Sequence, residues 1–325
     1  MQEVYKMGPY FTAAFFAFLI SIAIAPFYIK ISRKYQFGQQ IRLDGPKRHL
    51  KKAGTPTMGG IIFLLSFIIT TIWLAPGAPL LYLAVVMILF SALVGFIDDF
   101  QKVVRNHSLG LKARHKLMGQ LVFAAGFYLF LVYLGHSTVI AVPFTEIRIE
   151  LGLFYPLLIF FMIIGTSNAV NLTDGIDGLA AGTAILAFLA FLFIANVQGF
   201  TEMAYLCGIL LGACFGFLLF NMHPARVFMG DVGSLSLGTA LAVIAIILKA
   251  ELTLIIIGGV FVLETLSVIA QVVSFRLTKK RIFLMSPLHH HFELKGWSEW
   301  QVVTGFWALA FCFALLGLLE FTPLF

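Results

Sequence analysis

A chain of 325 residues that is 60% hydrophobic, 15% aromatic and only 11% charged is not an ordinary soluble domain. Its formal charge of +7 comes from 22 Lys and Arg against 15 Asp and Glu, and three Cys inside apolar runs exclude a disulfide framework. Several runs reach the roughly 20 apolar residues that cross a bilayer, so the expected class is an all-α, polytopic integral membrane protein built as one domain, 1–325.

Ten spans are predicted, at about 10–31, 57–75, 79–97, 117–134, 153–170, 179–197, 203–220, 234–249, 254–275 and 300–320. The first contains Ala23-Ile24-Ala25, which resembles a cleavage site. The length of the run, Pro26 directly after it and the basic loop beyond favour a retained helix. Basic residues set the orientation. Lys30, Arg33, Lys34, Arg42, Lys47, Arg48, Lys51 and Lys52 follow the first span, and Lys102, Arg105, Lys112, Arg114 and Lys116 follow the third. Arg226 follows the seventh; Arg276, Lys279, Lys280, Arg281 and Lys295 follow the ninth. Lys6, Arg148 and Lys249 are left on the opposite face. The positive-inside rule makes the rich face cytoplasmic and puts both termini outside. The charge therefore reports topology and attraction for anionic head groups or phosphates, not nucleic acid.

The first cytoplasmic loop ends in Lys51-Lys52-Ala53-Gly54-Thr55-Pro56-Thr57-Met58-Gly59-Gly60. It reads either as a snorkelling basic belt before a helix or as a cationic Gly/Thr strand laid over phosphates. The third span runs into Asp98-Asp99, whose repulsion needs water, a shared proton or a cation. Neighbouring helical residues point about 100° apart, so the pair is not expected to clamp one ion. Residues Ser137–Gly152, around Pro143, suggest a small external hairpin.

The densest polar stretch is Asn168-Ala169-Val170-Asn171-Leu172-Thr173-Asp174-Gly175-Ile176-Asp177-Gly178, set between two apolar runs. Such a knot at the end of a membrane segment is costly unless it binds something, although Asp, Asn and Gly also make plain capped loops. A helical turn would bring Asp174 and Asp177 to one face. Cys207 and Cys214 read as small packing residues on one helix face. The loop from Asn221 to Ser234 carries Phe228, an interfacial aromatic or a platform for a base, and Asp231. Asp231 is either an N-cap or a carboxylate held beside a phosphate or metal. The last loop holds His289-His290-His291, without the spaced ligand set zinc prefers; imidazoles can instead donate to phosphate oxygens. All six Asp (Asp44, Asp98, Asp99, Asp174, Asp177, Asp231) fall on the predicted cytoplasmic face. Carboxylates mixed with phosphate-binding cations point to Mg²⁺, a diphosphate and phosphoryl transfer, with one substrate from the cytosol and one from the lipid.

The Asp98-Asp99, Asn168–Gly178, Phe228–Ser234 and His289–His291 motifs together resemble the polyprenyl-phosphate N-acetylhexosamine-1-phosphate transferase superfamily. Within it, Pro287-Leu288-His289-His290-His291-Phe292-Glu293 looks like the bacterial phospho-N-acetylmuramoyl-pentapeptide transferases. The resemblance covers Gly54 to Trp297. It implies attack of undecaprenyl phosphate on UDP-N-acetylmuramoyl-pentapeptide, giving lipid I and UMP. It also implies Mg²⁺, an active site at the cytoplasmic face of the bacterial inner membrane, and a homodimer. By motif match Asp98, Asp99, Asp231 and His289 are implied as catalytic, with Asp231 as metal ligand. Lys116, Asn168, Asn171, Asp174, Asp177, Asn221, Phe228, His290 and His291 are implied to bind substrate. Two rivals are a sister transferase using another UDP-N-acetylhexosamine and an ion-coupled transporter. Transporter carboxylates tend to lie at the bilayer midplane in broken helices, whereas these cluster at predicted helix ends.

Overall fold

A computed structural model describes residues 7–35, 52, 54–104 and 110–322. The basic residues Lys6, Arg42, Lys47, Arg48, Lys51 and Arg105, and the acidic Asp44, lie outside the described residues. The chain forms α1 (Gly8–Lys34), α2 (Gly60–Leu74), α3 (Pro79–Val104) and α4 (Ala113–Tyr133). A hairpin of β1 (Val139–Ala141) and β2 (Arg148–Glu150) follows, with Ile140 opposite Ile149. Then come α5 (Tyr155–Thr173), α6 (Leu179–Val197), α7 (Thr201–Asn221) and α8 (Gly230–Ile247). The chain closes with α9 (Thr253–Ile257), α10 (Gly259–Thr278), α11 (Leu288–Leu294) and α12 (Glu299–Leu319).

Among the described residues nine helices are long and apolar enough to cross a membrane, and α2 is a shorter apolar helix of 15 residues. The protein is an all-α multi-pass membrane protein. Each predicted span coincides with a helix, but the ninth is broken into α9 and α10 at Gly258-Gly259. Glycine is a poor helix former, and the missing side chain of Gly259 lets the Phe313 ring of α12 press on the backbone.

The core is built around α8, whose residues from Val232 to Ile247 are buried on every side. Apolar and small residues all round its surface suit a helix with no outer face. It packs chiefly against α3 and α5, with α2 close beside it. Close approach is made by glycines: Gly60 of α2 abuts Gly233, and Gly95 of α3 abuts the Asp231 backbone. Gly208, Gly212 and Gly216 form a stripe on α7 that touches the Tyr10, Ala14 and Phe18 carbonyls of α1. Cys207 and Cys214 are buried on α7 as free thiols, whereas Cys312 is exposed on α12.

Three helix ends differ from expectation in ways that shape the polar end of the bundle. Helix α3 runs seven residues past its predicted apolar span, carrying Asp98, Asp99 and Lys102 on regular helix. Helix α8 starts at Gly230, so Asp231 lies in its first turn and Met229 is the N-cap. An acid there complements the helix dipole. Helix α5 ends at Thr173 with Asp174 as its C-cap, and a turn leads to α6. Asp174 and Asp177 therefore do not share a helical face, because the two glycines of Asp174-Gly175-Ile176-Asp177-Gly178 stop the helix; Gly178 takes φ +80°.

Candidate active site

The ends of α3, α4, α5 and α8 bring one ionic cluster together. Lys102 Nζ lies 2.6 Å from Asp98 Oδ2, 3.2 Å from Asp99 Oδ1 and 3.3 Å from Asp231 Oδ1. Asp98 and Asp99 were expected to diverge; each in fact reaches the same ammonium. Residue 102 is four beyond Asp98 and three beyond Asp99, so on a 100° step it stands about 40° from one and 60° from the other. Their second oxygens do diverge. Asp98 Oδ1 accepts the Leu111 N–H at 2.8 Å, and Asp99 Oδ2 accepts the Val232 N–H at 3.1 Å in the first turn of α8. Both carboxylates are nearly fully buried.

Asp231 is the meeting point. Lys116 of α4 approaches its Oδ2 to 2.5 Å, and the Asn171 amide of α5 donates to its Oδ1 at 2.8 Å. The same amide also donates to Ser234 Oγ. Asp98, Asp99 and Asp231 each present one oxygen within 4.8 Å of the others, a hard-oxygen donor set suited to a divalent cation such as Mg²⁺. Three carboxylates here face the two ammonium groups of Lys102 and Lys116. Nearby Asp174 feels the carboxylates. Burial first, then the charges of Asp231, Asp99 and Asp177, push its carboxyl up to about 8.

Asp177 belongs to a second cluster. Its Oδ1 accepts from Lys52 Nζ at 2.7 Å, and its Oδ2 lies 3.1 Å from both His223 Nδ1 and the Ala225 N–H. Glu299, first residue of α12, completes it: Oε1 accepts from Lys52 at 2.6 Å and from the Asp177 N–H at 2.9 Å, and Oε2 lies 3.1 Å from His223. A capping box between Ser298 and Gln301 fixes where α12 starts, and so where Glu299 stands. The segment after Lys52 is clamped by backbone bonds to the loop before α8: Phe228 N–H to the Pro56 carbonyl, and Gly59 N–H to the Phe228 carbonyl, both 2.8 Å. Phe228 is thereby held half-buried, three residues before Asp231.

The three imidazoles separate. His289 is fully buried, 3.3 Å from Glu264 Oε1 of α10, with its Nε2 against Gly175 of the acidic turn. Nε2 has no hydrogen-bond partner among the described residues. His290 pairs with Glu293 at 2.8 Å. His291 turns away and accepts the Leu284 N–H at 3.1 Å; burial and then Lys295 hold it below the usual range. Consecutive residues of this seven-residue helix step by about 100°, so it cannot aim three neighbouring side chains at one point. Asn168 donates to the Ile164 carbonyl one turn back on α5 and to Gln120 Oε1 of α4, and Asn221 gives its amide to the Val227 carbonyl while accepting the Gly178 N–H. Those two asparagines hold backbone and helices rather than face the carboxylates.

Four residues were not singled out as site residues by the sequence reading. Lys102 was counted only for topology, although its i+3 and i+4 spacing from two Asp was a usable signal. Glu264 is a lone acid inside a membrane span, which is itself a mark of function. Glu299 and His223 join through tertiary structure and had no local signal.

A family description, glycosyl transferase family 4, matches residues 81–249, and the phospho-N-acetylmuramoyl-pentapeptide-transferase signature 1 matches residues 52–64. The phospho-N-acetylmuramoyl-pentapeptide-transferase of Geobacillus sp. (strain WCH70) is 53% identical over 310 residues, 94% of this chain and 96% of that protein. This chain belongs to that transferase family. Transferases of the same name from Anoxybacillus flavithermus (53% over 313 residues; 95% and 96% covered) and Shouchella clausii (54% over 305; 93% and 94%) agree. The family signature begins at Lys52, and the glycosyl transferase match contains Asp98, Asp99, Lys102, Lys116, Asn171, Asp174, Asp177 and Asp231.

Proposed function

We propose that the chain transfers phospho-N-acetylmuramoyl-pentapeptide from its UDP carrier to undecaprenyl phosphate, forming lipid I and UMP for peptidoglycan synthesis. The observation that carries this reading is the convergence of Asp98, Asp99 and Asp231 on Lys102, with Lys116 beside Asp231, in a transferase of this family. A phosphate oxygen of the lipid attacks the sugar-bearing phosphorus, and the bond from that phosphorus to the UMP oxygen breaks. Lys116, beside Asp231, holds phosphate charge. Asp98 takes the proton of any lipid phosphate that arrives protonated. Asn171 fixes the direction of Asp231, and Phe228 stacks on the uracil.

Asp231, with Asp98 and Asp99, would hold Mg²⁺, which supplies charge neutralisation to the diphosphate when bound. His289 borders the acidic turn and contacts the sugar-phosphate from that side; Asp174, Asp177, His290 and His291 bound the wider substrate area. We place the cluster at the cytoplasmic face of the bacterial inner membrane, with both termini outside, by the distribution of Lys and Arg. The chain acts as one domain and as a homodimer. The test is reconstitution: purified protein, both substrates and Mg²⁺ should give lipid I and UMP in equal amounts. Transfer from UDP-N-acetylglucosamine in preference to the pentapeptide substrate would overturn the assignment.

A further inference from the structure

A cleft of about 460 Å³ opens where α1 and α7 end, lined by none of the residues whose side chains form the two ionic clusters. Pro26, Ile29 and Phe220 give it an apolar floor, and Lys30 and Arg33 of α1 with Arg226 of the loop after α7 supply three cations. Among the described residues no carboxylate lines it and none of the three cations forms an ion pair. Three like charges around one cavity repel unless an anion is shared between them. The neighbouring surface is equally one-sided. Phe27 and Ile31 of α1, and Phe215 and Leu219 of α7, are exposed apolar residues on two membrane-spanning helices.

We propose that this cleft binds the head group of an anionic glycerophospholipid from the surrounding bilayer. The phosphate sits among Lys30, Arg33 and Arg226, and the acyl chains leave along the exposed apolar faces of α1 and α7. A soluble phosphate satisfies the cations but leaves the apolar floor wet; a zwitterionic lipid covers the floor but brings its own cation. Only an anionic amphiphile matches both halves. The glycine stripe of α7 packs it closely on the earlier turns of α1, which fixes the relation of the two helices that meet at the cleft. This inference does not depend on the transferase reading.

Native mass spectrometry of the full-length, detergent-purified protein tests it, titrating phosphatidylglycerol against phosphatidylcholine of the same acyl chains. The wild type should take up phosphatidylglycerol preferentially. Lys30→Gln/Arg33→Gln/Arg226→Gln should lose that preference by at least about tenfold, since each basic residue near an anionic surface matters. Arg33→Gln alone, at an exposed position, should show a smaller loss if the triple variant folds poorly. Lys279→Gln/Lys280→Gln, which removes two exposed cations elsewhere, should leave the preference intact. Equal loss in that control, or no loss in the triple variant, overturns the site. Displacement of the lipid by millimolar inorganic phosphate would reduce the cleft to a simple anion site and overturn the lipid assignment. A raised KM for undecaprenyl phosphate with unchanged phosphatidylglycerol uptake would give the cleft to the acceptor lipid, which also overturns it.

Discussion

Lys102 Nζ stands 2.6 Å from Asp98 Oδ2, at the point where three carboxylates present oxygens to one another. The ammonium holds the place a divalent cation would take. Two opposite effects should follow. Lys102→Gln removes the internal competitor and should tighten Mn²⁺ binding by about tenfold or more, read by electron paramagnetic resonance, while UMP release falls. Asp231→Ala should abolish transfer and weaken divalent dependence. Unchanged or weaker Mn²⁺ binding in the Lys102 variant would show that the cation binds elsewhere.

Glu299 touches Lys52, Asp177 and His223, tying α12 to the turn before α6 and to the segment that pairs with Phe228. Glu299→Gln keeps the shape and an acceptor but removes the charge that balances Lys52. Loss of charge-assisted hydrogen bonds is expected to destabilise by on the order of 2 kcal/mol. Because the carboxylates of the first cluster are untouched, KM for the UDP substrate should rise more than kcat falls. A melting temperature and KM equal to wild type would reduce Glu299 to a surface acid.

How much of this was legible in the sequence depends on the distance over which each signal acts. Helices announced themselves because twenty apolar residues in a row have few other fates. The acidic motifs stood out because buried carboxylates at membrane ends are costly. The partners of those carboxylates were harder to see. Lys102 was within reach of a local rule, but Glu299 lies 122 residues from the Asp177 backbone N–H that it accepts. Only packing of α12 against α6 joins them. The Asp174–Asp177 pair was misplaced for a local reason: its glycines end the helix that the three-residue spacing assumed. The three histidines have separate surroundings because consecutive positions on a short helix face different neighbours.

Asp174 is the group with a pH signature. Its carboxyl is pushed to about 8 in the fold, above an unfolded value of 3.8, so the folded state binds the proton more tightly. Between about pH 4 and pH 8 folding therefore carries an extra proton, and stability falls as pH rises through that window. In chelator-treated protein the melting temperature of the wild type should decline from pH 5 to pH 8 relative to Asp174→Asn, which keeps no titrating group there. Parallel pH profiles for the two proteins would mean that the ionised carboxylate is well accommodated. Added Mg²⁺ should shrink the difference, since a nearby cation favours the charged form.

Phe228 is clamped through its backbone to Pro56 and Gly59, which leaves its ring as the variable element. Aromatic stacking on a base is worth roughly 1–3 kcal/mol. Phe228→Ala should raise KM for the UDP substrate by about tenfold or more and leave the undecaprenyl phosphate dependence nearly unchanged. An effect confined to the lipid dependence would move the ring to the acceptor groove.

The order of bond making is the last expectation. In one route undecaprenyl phosphate attacks the diphosphate directly; in the other a protein carboxylate attacks first, releases UMP and carries the sugar-phosphate. Each of the adjacent carboxylates is already engaged on both sides: Asp98 by Leu111 N–H and Lys102, Asp99 by Val232 N–H and Lys102. Charge-assisted contacts of this kind draw electron density from the oxygens and lower their nucleophilicity. Asp231, held by Lys116 and Asn171, is restrained in the same way. The lipid phosphate needs little help, because the second pKa of a phosphate monoester is near 6. The bilayer also delivers it oriented, which supplies the proximity a covalent step would otherwise provide. The direct route is therefore expected. Enzyme stripped of undecaprenyl phosphate and given UDP substrate with Mg²⁺ should release no UMP beyond background. A burst equal to the enzyme concentration, with labelled sugar-phosphate retained on the protein after denaturation, would establish the covalent route instead.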